Sequence, residues 1–173
     1  GVATIVAFEG SRSLVVDLQS LVNASTYASP RRTATGLGSN RVHQILAVLE
    51  KHMGLGLSRY DCYLAVAGGL EVEEPAADLG IAAALISSYK ELIIPPGTVL
   101  IGEIGLGGQL RPVSQLEQRL LEAVRRGFDR AVIPKNNGVA QLIKEIDLEV
   151  FEASSIAEAL EMGLGMSPIK DQN

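Results

Sequence analysis

The stretch ADLGIAAALISSY, from Ala77 to Tyr89, constrains the fold more than any other part of the chain. A helix made of these residues is apolar on nearly every face, and such a helix is stable only where neighbours cover it all round. This segment is therefore expected to be buried among neighbouring elements. Small side chains at Ala82, Ala83 and Ala84 let those neighbours approach closely. The covering material is present, since 47% of the 173 residues are hydrophobic and the mean hydropathy is +0.23. That suffices for one domain with a sizeable core. Aromatic residues make up only 4%, with no Trp, so the core is expected to be aliphatic. A base-stacking platform for single-stranded nucleic acid is disfavoured by the same composition.

The rest of the chain supplies alternating elements. Ala3 to Phe8 and Ser13 to Val22, separated by Gly10-Ser11, read as a hairpin, and Arg31 to Thr35 as a third strand. Ser39 or Asn40 then caps a helix whose Val42, Ile45, Leu46, Leu49 and Met53 form one stripe, ended by Gly54. Asp61 to Ala67 is a strand. Thr98 to Gly102 and Gln109 to Val113 read as two strands around the turn Gly105-Leu106-Gly107-Gly108. Ser114 with Glu117 forms a capping box for a third helix that stops at Gly127. Ala131 to Pro134 (strand), Val139 to Ile146 (helix), Leu148 to Phe151 (strand) and a helix capped by Ser155 and Glu158, ending near Gly163, complete an α/β pattern with a mixed sheet. Residues 1–166 are expected to form a single domain and 167–173 a disordered tail.

Several chemistries are excluded or weakened. One cysteine, Cys62, and two histidines, His43 and His52, do not make a Cys/His metal site, so no metal is expected in this chain. The histidines lie about 2.5 turns apart on one helix and do not share a face. Cys62 reads as an inert buried thiol. No Gly-x-x-x-x-Gly-Lys-Ser/Thr sequence is present, so the glycine turn is no phosphate cradle. Ser87-x-x-Lys90 falls at a helix end, where no free N–H groups stabilise an oxyanion. Asp78 stands at a helix N-terminus, a position that favours an acid by itself. No window approaches the roughly 18 apolar residues needed to span a bilayer, and the first residues lack a basic leader, so a cytoplasmic location without membrane contact is expected.

The net charge is −5, unevenly spread. Residues 1–60 carry six basic against three acidic residues, and the remainder nine against seventeen. A basic face on an acidic protein is thereby allowed.

Two blocks, EPAADLGIAAALIS and GEIGLGGQLRPVSQLEQRLLEAVRRGFDRAVIP, resemble the proteolytic domain of the Lon proteases. LVVDLQSLV, PRRTATGLGSNRVHQILAVLEKHMGL and DCYLAVAGGLEVEEPAADL narrow the likeness to the C-terminal Lon-like domain of the RadA (Sms) family of bacterial DNA-repair proteins. The resemblance implies a Lon proteolytic-domain-like fold, related to the second domain of a ribosomal small-subunit protein. It puts Asp78 at the position of the Lon serine nucleophile and Glu117 at that of its lysine base. With both members of the dyad replaced, peptidase activity is not expected.

RadA-like proteins carry a zinc finger and a RecA-like ATPase ahead of this domain and act as hexameric DNA motors in recombination and branch migration. The resemblance therefore implies ATP, Mg and Zn for those upstream parts and no cofactor here. The implied partners are further copies of the chain in a homohexamer, DNA, and the ATPase domain of the same polypeptide. Candidate DNA contacts are Arg31, Arg32, Arg41, Arg125 and Arg126. For Arg31 and Arg32 the rival role is inter-subunit salt bridging, and for Arg125 and Arg126 compensation of a helix dipole. Two alternatives stand beside this reading: a scaffold that only oligomerises, and a residual hydrolase in which Asp78 and Glu117 pair with one of them protonated.

Overall fold

The computed structural model describes residues 1–135 and 137–165. Strands β1 (Val2–Glu9) and β2 (Arg12–Ala24) form the expected hairpin, in register from Val2↔Gln19 to Glu9↔Arg12. Gly10 takes φ +62° in the two-residue turn, a conformation glycine adopts without strain. β2 pairs antiparallel with β4 (Tyr60–Val66), and β3 (Arg32–Thr35) pairs parallel with β4, giving a mixed sheet of order β1-β2-β4-β3. A second, wholly parallel sheet has the order β5-β8-β9, formed by Thr98–Leu100, Arg130–Pro134 and Glu149–Ala153.

Helix α2 (Asp78–Lys90) lies where its composition demands, with every residue from Asp78 to Ser87 buried. It packs on the inner face of β1 and β2 so closely that a Cβ on Gly80 would stand 2.2 Å from Ile5 Cγ2. Ser20 Oγ donates to the Ala84 carbonyl at 2.5 Å, and Val22 N–H donates to Ser88 Oγ at 2.9 Å. These bonds fix the helix along β2. Helix α1 (Ser39–Met53) adds Val42, Ile45, Leu46 and Leu49 to the same core and ends at Gly54, φ +66°.

The parallel sheet alternates its side chains between two cores. Leu100 and Val132 face α2 and α5 (Ile156–Leu164), whereas Val99, Ala131 and Ile133 face α3 (Leu116–Arg125), with Leu142 and Ile143 of α4 (Ala140–Glu145) packed on that side. The molecule is thus an α/β fold of one mixed and one parallel sheet with helices between and outside them. No helix among the described residues is long and apolar enough to cross a membrane.

Three expectations are corrected, the first at α1, where Gly38 takes the cap position with no side-chain capping bond and Ser39 and Asn40 lie inside the helix. Thr98 to Gly102 is not one strand paired with Gln109 to Val113. Thr98–Leu100 pairs with β8, and only β6 (Glu103–Ile104) forms the glycine hairpin, with β7 (Leu110–Arg111). Ser114 does not cap α3 either. Gln115 occupies the cap position in the left-handed region, φ +57°, with no side-chain capping bond, and the Ser114 carbonyl accepts from Arg119 Nε at 3.0 Å. The Ser155 cap does form, its Oγ accepting from Glu158 N–H at 3.1 Å. The expected tail, 167–173, lies outside the described residues.

Candidate functional site

The start of α2 carries the most concentrated chemistry. Leu79 N–H donates to the Gly102 carbonyl at 3.0 Å and Gly102 N–H to the Ala76 carbonyl at 3.1 Å, tying the helix entry to the segment between β5 and β6. Asp78, 1% exposed, is thereby held inside the protein. Its carboxylate receives two bonds from one guanidinium, Arg41 Nε to Oδ1 at 2.5 Å and Arg41 Nη2 to Oδ2 at 2.9 Å, and a third from Ile104 N–H at 3.0 Å. Arg41 projects from the first turn of α1, and Glu103 stands 3.9 Å from its Nη2. Burial pushes the Asp78 carboxyl above the usual carboxylate range; the Arg41 and Ile104 bonds oppose that rise, and the Glu103 charge adds to it.

A carboxylate whose lone pairs are occupied by a fork and a backbone amide is a structural anchor joining α1, α2 and β6. Glu117, the other position of interest, lies exposed in the first turn of α3, and no described interaction joins it to Asp78.

The five candidate arginines fall into different surroundings. Arg41 is committed to Asp78. Arg32 Nη2 donates to the Leu57 carbonyl at 2.7 Å and pairs with Glu50 at 3.5 Å. Arg125 and Arg126, both exposed, flank the buried Glu122 carboxylate at 2.7 and 3.5 Å. Arg31 has no described carboxylate on its guanidinium, which lies 4.1 Å over the Tyr27 ring. The five do not form one surface cluster through any described contact.

Sequence reasoning missed a buried cation. Arg119, 2% exposed, donates from Nη1 to the Val6 carbonyl at 2.6 Å and to Glu74 Oε1, and stacks 4.8 Å over Phe8. Glu74 Oε2 in turn accepts from Phe8 N–H at 3.0 Å. A signal existed, because Arg119 falls on the apolar stripe of Leu116, Leu120 and Ala123, where a charge needs a dedicated partner. Cys62 is buried as expected, and burial raises its thiol pKa, which keeps it protonated. His52, exposed, bonds the Leu106 carbonyl at 2.9 Å through Nε2 and so buttresses the glycine hairpin.

Comparison with known proteins adds the family context. The chain is 54% identical over 160 residues to a protein named DNA repair protein RadA from Synechocystis sp., covering 91% of this chain and 32% of that relative. It is 42% identical over 165 residues to proteins of the same name from Halalkalibacterium halodurans and Bacillus subtilis, covering 95% of the chain and 36% of each. The chain thus spans about a third of the length of these curated relatives. A family model described as subunit ChlI of Mg-chelatase matches residues 26–137, well over half of the sequence, and by that match the chain belongs to the ChlI family.

Proposed function

We propose that this chain is the C-terminal, Lon-like domain of a RadA-type DNA-repair ATPase, inactive as a peptidase, which serves as a hexameric platform and contributes DNA-binding surface during branch migration. The observation that carries the reading is the 42–54% identity to RadA proteins along 91–95% of the chain. The chemistry of the site supports the absence of peptidase activity in this reading. A serine–lysine dyad needs an alcohol proton and an amine to take it; Asp78 and Glu117 offer neither, and the Asp78 carboxylate is consumed by Arg41.

ATP, Mg and Zn belong to other parts of such a protein. Among the described residues no group of three His, Cys, Asp or Glu could hold a metal ion. The glycine hairpin is packed by the Gln109 and His52 side chains, so its amides form no open cradle for a phosphate chain. Several copies of a modest basic patch around a ring sum to a strong attraction for the phosphate backbone despite the net charge of −5.

A second reading, a scaffold without DNA contact, is favoured by one observation: Arg32 and Arg41 turn inward onto the Leu57 carbonyl and Asp78. Binding of the 173-residue chain to DNA over a salt series, with light scattering for assembly size, separates the two. Affinity that falls steeply with salt supports the platform reading. An intact oligomer that binds no DNA leaves the scaffold.

A further inference from the structure

We propose that the cleft between the loop after β2 and the turn before β4 binds an unpaired nucleotide of single-stranded DNA, the phosphate on Arg59 and Ser58 and the base on the Tyr27–Arg31 stack. The proposal rests on the reading that the chain contacts DNA and names where and in what form.

The cleft is built by the sheet. β2 ends and β4 begins side by side, with Ala24 opposite Tyr60. Ser25 N–H donates to the Arg59 carbonyl at 2.9 Å, holding the loop against the Leu57–Arg59 turn, and Tyr27 N–H donates to Ser25 Oγ at 3.1 Å, bending the loop back on itself. The result is a depression of about 490 Å³ lined by Ser25, Tyr27, Ala28, Pro30, Ser58 and Arg59. That volume is in the range of small-molecule sites, and a nucleotide fits it.

Its charge is uncompensated. None of the lining residues is acidic. Asp61 accepts the Arg31 backbone N–H at 2.7 Å, and Glu50 pairs with Arg32. The guanidinium groups of Arg31 and Arg59 have no carboxylate partner among the described residues, unlike those of Arg32, Arg41, Arg125 and Arg126. An unneutralised Arg59 lining the cleft with the Ser25 and Ser58 hydroxyls, and a second unneutralised cation on Tyr27, match a nucleotide's phosphodiester and base.

The stack sets the form of the nucleic acid. Tyr27 is 49% exposed although its ring is large and apolar, and the Arg31 guanidinium lies 4.1 Å over that ring, a cation on an aromatic face beside which a base can stack. A base joins such a stack only when it has left its neighbours, so a duplex reaches the cleft through its backbone alone. The low aromatic content excludes a platform of many rings, and this site needs one.

The test compares a fluorescein-labelled oligothymidylate with a duplex of equal length by anisotropy over a salt series, for the 173-residue chain and for Arg59→Gln, Tyr27→Leu and Tyr27→Phe, each checked by thermal melting. Arg59→Gln should weaken both ligands and lower the salt slope on the single strand by about 0.7. Tyr27→Leu should weaken the single strand by about fivefold or more while changing the duplex by less than about twofold, and Tyr27→Phe should bind as wild type. Variants that melt normally and bind both ligands as wild type overturn the cleft while leaving DNA contact intact. Equal losses for single strand and duplex in Tyr27→Leu overturn the stacking assignment. A wild-type chain that binds no DNA overturns the cleft and the reading beneath it together.

Discussion

Removing Arg41 should destabilise the protein more than removing the acid it holds, and a second substitution should repair much of the damage. Asp78 is 1% exposed and depends on two guanidinium bonds and one amide bond for its charge, so Arg41→Met leaves a buried carboxylate with the Ile104 N–H alone. Breaking a buried pair in this way costs about 3–5 kcal/mol. Asp78→Ala is milder. The Arg41 side chain is 30% exposed and its guanidinium can turn to water, which leaves the orphaned Ile104 N–H and a small void, together about 2 kcal/mol. Adding Asp78→Ala to Arg41→Met removes the stranded charge, so the double variant should be more stable than Arg41→Met by about 1–3 kcal/mol.

The pH dependence has a definite sign. A carboxyl whose folded pKa lies above its unfolded value binds protons more readily in the folded state, so its contribution to stability is greatest in acid and is lost as pH rises from the ordinary carboxylate range through the folded value. Arg41→Met removes the main opposition to the burial effect and extends that window toward neutrality. Glu103, the other acid facing the pair, lies 3.9 Å from Arg41 Nη2 and is partly exposed. Urea unfolding at neutral pH and at stepwise lower pH measures both effects. The gap between wild type and Arg41→Met should be widest near neutrality and narrow on acidification. An Arg41→Met variant within about 1 kcal/mol of wild type at neutral pH, or a double variant less stable than both singles, refutes the reasoning.

Three other outcomes follow from the packing. Arg119→Leu should lose about 2–4 kcal/mol in urea unfolding, and Arg119→Lys should recover little of it, because one ammonium does not reach the Val6 carbonyl, the Ser114 carbonyl and Glu74 together. Gly80→Ala should be net destabilising by about 1 kcal/mol or more, since the clash with Ile5 outweighs the roughly 1 kcal/mol gain in helix propensity; a stabilised variant contradicts the close approach of α2 to β1. Cys62 should resist maleimide labelling in the native protein and react at the rate of unfolding, because the thiol is buried and held protonated; rapid native labelling contradicts its placement.

What could be read from the sequence was what repeats locally. The stripe of α1 and the all-round apolarity of α2 each determine a surface from neighbours a few residues apart, and both were legible. The capping box at Ser114 and Glu117 has the right letters, yet Gln115 turns left-handed and Arg119 claims the Ser114 carbonyl, so a distant buried cation decides the geometry of that turn. The Ser155 cap has no such competitor and forms. The strand after Thr98 failed for a related reason: Thr98–Leu100 finds β8, some 30 residues on, and only Glu103 and Ile104 join the glycine hairpin.

The same distinction governs the cations. Arg41 and Arg59 are equally basic in the sequence, and Arg41, near a helix start, is the more natural candidate for DNA. Folding reverses their standing. Asp78, 37 residues away, consumes Arg41 in a contact that joins α1 to α2, whereas Arg59, in a short turn with no periodicity to draw notice, emerges beside Arg31 with no carboxylate assigned to either. A positive charge is available to a ligand only if the fold leaves it unpaired, and that is decided by side chains far apart in sequence. The proposed DNA contact should therefore be sought where guanidinium groups have no carboxylate partner among the described residues, as at Arg31 and Arg59, rather than where arginines are densest.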